Sequence, residues 1–296
     1  MKSKYVLKKW FAGLVVVALA LSACIHPSSA PMAERTTGSV VSADGVEIKY
    51  EVSGQGQPAL VFVHCWTCNR SFWDDQVAYF APRYTVVRLD LAGHGESGGG
   101  RKNYTMTAFG ADVAAVVEKL KLPRVILIGH SMGGPVSVEA SSRLGARVIG
   151  VVGVDTFYTG WQPPKGDQVA AFIKPFATDF SVTTDKFVRS MFMPDADKAR
   201  VDRIAKIMTS ADKAMAVSAM TDILQWYEQD SENSLKRLGN KLRNINADPK
   251  RENHAHHKSV VLIPGAGHFV PQEKPLEFNR ALDVVAEQLI QQTKTN

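Results

Sequence analysis

The chain has 296 residues, 45% of them hydrophobic, with 35 Lys and Arg against 29 Asp and Glu and a formal charge of +6. That length and apolar content supply a core for one large domain, and the sequence holds no internal repeat or low-complexity tract. The basic excess does not argue for a nucleic-acid partner: Lys2, Lys4, Lys8 and Lys9 account for four of the charges, so the remainder carries about +2.

Those lysines open a basic segment that runs into Trp10 to Ala23, a 14-residue stretch without charge. A basic region followed by an apolar run shorter than the ~20 residues of a membrane span is expected to be a secretory signal over residues 1–23. Its end, Leu21-Ser22-Ala23-Cys24, resembles a bacterial lipobox. The resemblance implies cleavage before Cys24, lipid on Cys24, and a domain anchored to a membrane of the bacterial cell envelope, facing the periplasm or the outer membrane. Residues 24–37 contain Pro and Ser without periodicity and are expected to be a tether.

Past residue 38 the pattern is strand and helix in alternation. SVVSADGVEIKYEV reads as a hairpin about Asp44-Gly45. ALVFVH (59–64), YTVVRLD (84–90), RVILIG (124–129) and RVIGVVGVD (147–155) are short, β-branched runs suited to strands buried on both faces of a parallel sheet. MTAFGADVAAVVEKLKL (106–122) sets Phe109, Val113, Val116, Val117 and Leu120 on one helical face. Residues 156–238 hold helical stretches and no strand, and strands resume near 242–247 and at SVVLIP (259–264), before a last helix over 275–292. The expected fold is α/β: a mostly parallel sheet flanked by helices, with a helical lid inserted after the sixth strand, above the sheet edge where ligands bind.

Chemistry concentrates at strand ends. In RVILIGHSMGGPVSV a strand ends at Gly129-His130-Ser131-Met132-Gly133 and a helix begins, the G-x-S-x-G context of a nucleophile elbow. It would hold Ser131 Oγ over the sheet edge with the Met132 amide aimed at a developing oxyanion. His130 cannot readily fold back onto Ser131 and reads as structural. A serine nucleophile needs a base, and IPGAGHFVPQEKP offers His268 on a Gly-rich loop after a strand.

These motifs, with Asp90-Leu91-Ala92-Gly93-His94-Gly95-Glu96-Ser97, resemble the α/β-hydrolase-fold family over residues 38 to 292. The resemblance implies an oxyanion loop at His64-Cys65-Trp66, the Trp66 amide being the second donor. Cys65 and Cys68 then lie on that loop in neither a thioredoxin-like nor a zinc-binding context; two free buried thiols rank ahead of a disulfide. The family order Ser…Asp/Glu…His favours Asp248, after the strand that follows the lid, as the acid; Asp155, ending the very apolar VIGVVGVD, is its rival. His254, His256 and His257 read as a solvated loop rather than a metal site. The implied activity is cleavage of a carboxylic ester of apolar, lipid-like or aromatic character, through a Ser131–His268–Asp248 triad and an acyl-enzyme, without metal or organic cofactor. Acyl transfer or perhydrolysis on the same triad, or ligand binding without catalysis, are the alternatives. A Ser at the elbow argues against the dehalogenases and epoxide hydrolases of this fold, which use Asp there. A membrane, through the anchor, and a small-molecule ester are the expected partners.

Overall fold

The computed structural model describes residues 35–158, 162–229, 231–248 and 259–294. The expected signal, Cys24, Trp161 and the His254–His257 cluster lie outside them. Among the described residues no helix is long and apolar enough to cross a membrane.

Eight strands form one sheet: β1 (Arg35–Val41), β2 (Glu47–Ser53), β3 (Ala59–Val63), β4 (Val86–Leu89), β5 (Val125–His130), β6 (Val148–Val154), β7 (Leu242–Asp248) and β8 (Val260–Pro264). Their spatial order is β1-β2-β4-β3-β5-β6-β7-β8. β1 and β2 form the expected antiparallel hairpin, β2 runs antiparallel to β4, and every pairing from β4 to β8 is parallel. β1 opens at Arg35, inside the segment read from sequence as a tether.

Every residue of β3, β4, β5 and β6 is buried, because helices cover both faces. Alternate residues point to opposite faces. Val61, Val63 and Leu127 join Phe109 and Val113 of α2 (Met106–Lys119) and Val136 of α3 (Gly133–Leu144) in one apolar cluster. Leu60, Phe62 and Ile126 join Val77 and Phe80 of α1 (Asp74–Phe80) and Phe278 and Leu282 of α10 (Pro275–Gln292) in the other.

Between β6 and β7 lies an all-helical insert: α4 (Asp167–Thr178), α5 (Phe180–Arg189), α6 (Lys198–Thr209), α7 (Lys213–Gln229) and α8 (Ser231–Leu238). After β8 the chain makes the short α9 (Val270–Glu273) and enters α10. β3 is flanked by β4 on one side and β5 on the other, so chain connections diverge between β3 and β5. Ligands bind at the carboxyl ends of strands at such a divergence.

Candidate active site

The tight strand-to-helix turn expected at Ser131 is present between β5 and α3. Ser131 follows β5 with φ 52°, a left-handed conformation that costs energy in a non-glycine residue. Its amide donates to Val154 O of β6 at 2.9 Å, and its carbonyl accepts from Gly134 N at 2.9 Å. The turn tolerates no side chain at two neighbours. A Cβ at Gly129 would lie 2.0 Å from Gly133 O, and one at Gly133 would lie 2.4 Å from Val63 O. Close strand–helix approach thus makes both glycines a steric necessity. Met132 stands at the start of α3, where the first amides have no intrahelical carbonyl to meet.

His268 is fixed from several sides. Its amide donates to Met191 O of the insert at 2.8 Å. The amides flanking it, Gly267 N and Phe269 N, both donate to Glu273 Oε1, at 3.1 and 3.2 Å. Its carbonyl accepts from His130 Nε2 at 2.8 Å, with the two imidazoles 4.8 Å apart. His130 is buried, and burial pushes its pKa down to about 3, so it is a neutral structural donor.

The acid on His268 is Asp155, not Asp248. His268 Nδ1 lies 2.6 Å from Asp155 Oδ2. Asp155 Oδ1 accepts from Ala247 N of β7 at 2.9 Å and from the Tyr158 hydroxyl. Burial pushes the Asp155 carboxyl up, but bonds from His268, Tyr158 and Ala247 outweigh it and hold the group below the usual carboxylate range. An ionised carboxylate only accepts, so Nδ1 carries the imidazole proton and Nε2 keeps the lone pair of a base. Asp248 instead ends β7 as an exposed residue paired with Pro264.

The polarity of β7 explains the exchange. Asn246 is buried; its Oδ1 accepts from Thr156 N at 3.3 Å and its Nδ2 donates to Thr156 O at 3.1 Å. With the bond from Asp155 N to Ile245 O at 3.0 Å, the strand clamps the turn that carries the acid. Asp155 and Phe157 both take positive φ, 47° and 57°. Asn246, polar where a buried strand is usually apolar, was the sequence signal for Asp155.

The oxyanion loop differs from expectation in its sulfur chemistry. Cys65 and Cys68 form a disulfide, with Cα atoms 5.2 Å apart, rather than two free thiols. Cys68 N donates to Cys65 O at 3.2 Å, and Thr67 between them has φ 55°. Such a tight turn brings the two sulfurs together. Beside it, His64 Nδ1 donates to Cys65 O at 2.8 Å and Nε2 accepts from Leu91 N at 3.0 Å. Burial pushes His64 down to about 4, matching the neutral tautomer these bonds require. Trp66 Nε1 donates to Ala216 O of α7 at 2.8 Å, and its ring meets Phe176, Phe180 and Phe187 edge-on.

One cavity of about 620 Å³ is walled by Cys65, Trp66, Ser131, Asp155 and His268 together with the insert. Phe172, Phe187, Met191, Met208 and Met220 supply much of its apolar side, and Thr156, Tyr158, Ser190 and Tyr227 its other hydroxyls. Tyr227 OH lies 2.6 Å from Thr156 Oγ1. Behind that wall, Phe176 packs on Trp66, and Phe192 stacks on Phe269 with ring centres 4.7 Å apart. Tyr158 and Glu273, which hold the acid and the His268 loop, carried no motif that marked them in the sequence. Among the described residues no cluster of three or more His, Cys, Asp or Glu is arranged to hold a metal.

A strand-end serine, a histidine on the loop after β8 and a helical insert after β6 define an α/β-hydrolase architecture. The model of the alpha/beta hydrolase family matches residues 60–281, and the chain belongs to that family. It is 38% identical over 108 residues to a non-heme haloperoxidase of Rhodococcus erythropolis, and 37% identical over 95 residues to 3-oxoadipate enol-lactonase 2 of Acinetobacter baylyi. These matches take in 36% and 32% of this chain but only 39% and 36% of the two relatives. Among solved structures, a thermophilic esterase from Thermogutta terrifontis superposes with a TM-score of 0.72 at 19% identity, covering 86% of this chain and 99% of the other. A bromoperoxidase from Bacillus anthracis gives 0.72 at 22% identity, covering 85% and 100%. At those identities the likeness is one of fold.

Proposed function

We propose that the protein is a serine hydrolase of carboxylic esters. The observation that carries this reading is the His268–Asp155 contact on the wall that also holds Ser131. Ser131 Oγ attacks the ester carbonyl carbon while His268 Nε2 takes its proton. The amides of Trp66 and Met132 hold the tetrahedral oxyanion. The intermediate collapses, Nε2 returns the proton to the departing alcohol, and an acyl group remains on Ser131. Water then attacks with Nε2 as base, releasing the carboxylic acid and the free serine. Asp155 keeps the tautomer and stabilises the imidazolium. The test is a panel of nitrophenyl esters of rising chain length with Ser131→Ala beside the wild type, and a fluorophosphonate label mapped by mass spectrometry. Release of nitrophenolate that persists in Ser131→Ala, or a label elsewhere, defeats the proposal.

A second reading, perhydrolysis, draws support from the haloperoxidase among the relatives. Hydrogen peroxide would replace water at the acyl-enzyme and leave as a peracid. Peroxide-dependent bromination with a short carboxylic acid, lost in Ser131→Ala, distinguishes it.

The sequence at Leu21-Ser22-Ala23-Cys24 supports lipid attachment at Cys24 and display of the domain on a membrane of the cell envelope.

A further inference from the structure

The cavity wall holds a carboxylate, Asp155, bonded to the His268 imidazole. Among the described lining residues Asp155 is the only carboxylate, and there is no lysine or arginine. A second carboxylate, Glu273, sits directly behind, accepting the two amides that flank His268. The rest is aromatic, aliphatic, thioether or hydroxyl. A substrate bearing its own carboxylate would lose its water here, would meet no lysine or arginine among the described residues, and would lie near two carboxylates in a medium of low dielectric. An uncharged acyl chain would instead gain from Phe172, Phe187 and Leu224. Met191, Met208 and Met220, unbranched and adaptable, accommodate varied apolar shapes.

We propose, resting on the hydrolase reading above, that this cavity selects esters uncharged throughout and excludes carboxylate-bearing ones: charge, rather than acyl shape, sets its specificity. The geometry also offers a way to reverse the rule. Ser190 lines the cavity, is exposed, and caps the C-terminal end of α5. A cation is favourable at a helix C-terminus, so Ser190→Lys brings a positive charge to the mouth without burying it.

The test compares mono-4-nitrophenyl adipate with its methyl ester, two compounds of one acyl length that differ by a charge. The expected kcat/KM ratio favours the methyl ester by at least about 30-fold, the size of a desolvated, unpaired carboxylate discounted for partial solvation. Ser190→Lys is expected to narrow the ratio about tenfold at low salt and to lose that gain in 0.5 M salt, where the Debye length is about fourfold shorter than at 0.03 M. A smaller wild-type ratio, or no response to Ser190→Lys, overturns the proposal. The same two esters titrated by calorimetry into Ser131→Ala read the charge rule apart from turnover. If neither ester is cleaved and Ser131 takes no fluorophosphonate, the hydrolase reading fails while the two Kd values still decide the charge rule: equal affinities overturn it.

Discussion

Asp155 accepts three hydrogen bonds, from a ring, a hydroxyl and a strand amide, and these fix both its charge and its direction. Asp155→Asn should lower kcat by up to about 10⁴, because the wrong imidazole tautomer faces Ser131. Asp248→Asn should stay within about threefold of the wild type, as expected of an exposed group. Steady-state kinetics on both variants, with circular dichroism to verify folding, check this; the opposite ranking would restore Asp248. Three other histidines act by being uncharged. Burial depresses His64 to about 4 and His94 and His130 to about 3, from 6.5. In that interval the unfolded chain binds protons that the native protein does not. Their contribution is therefore complete above pH 6.5 and declines as pH falls toward 4 and below, by on the order of 3 kcal/mol for His64 once both values are passed. Tm should fall steadily between pH 7 and 4.5; a flat calorimetric profile would contradict the buried neutral state.

At the level of elements, the elbow and the oxyanion loop are both tight turns at strand ends, yet they tolerate change differently. Gly133→Ala forces a Cβ against the backbone of β3, which has no flexible side chain to yield. It should cost about 3 kcal/mol or more, seen as a large fall in Tm or in soluble yield. The disulfide loop should be more forgiving. Replacing Cys65 and Cys68 together by Ser loosens the backbone that carries the Trp66 amide, but Trp66 stays tied to Ala216 O. The loss in kcat should fall short of the ~10²–10³ that follows complete removal of an oxyanion donor, and reductant should move the wild type in the same direction. A loss as deep as that of Ser131→Ala would give the sulfurs a chemical part. Elements were legible in the sequence where local pattern and tertiary environment agree. The apolar runs of β3 to β6 and the glycines of the elbow are of this kind. β7 was legible only as a weak strand, because Asn244 and Asn246 are buried in it and Asn246 serves a turn ninety residues upstream. Spacing along the chain carries no trace of that contact, so Asp248 was favoured over Asp155, the carboxylate that His268 meets. The disulfide was misjudged for a related reason: C-x-x-C spacing permits both states, and the tight turn at Thr67 that brings the sulfurs together leaves no mark in the sequence.

Across the whole molecule, the proposed catalytic groups and the cavity wall come from different stretches of chain. Ser131 and Asp155 precede the insert and His268 follows β8, while most of the apolar wall comes from α4 to α7. Cys24→Ser should block processing or release the domain from membranes, leaving ester cleavage by the released domain unchanged; membrane fractionation beside an activity assay checks both halves. Processing and fractionation like the wild type would end the lipoprotein reading.

The turn over residues 155–158 joins Asp155 to the insert, and among the described residues two further main-chain oxygens of the insert hold the proposed catalytic groups: Met191 O on His268 and Ala216 O on Trp66. For protein engineering this amounts to a parts list with three fasteners. A lid transplanted from a relative would carry its own selectivity, provided that it presents a carbonyl at each of those two places and a hydroxyl where Tyr158 stands. A transplant lacking them should fold around an intact core yet leave the imidazole and the oxyanion loop without their outer supports.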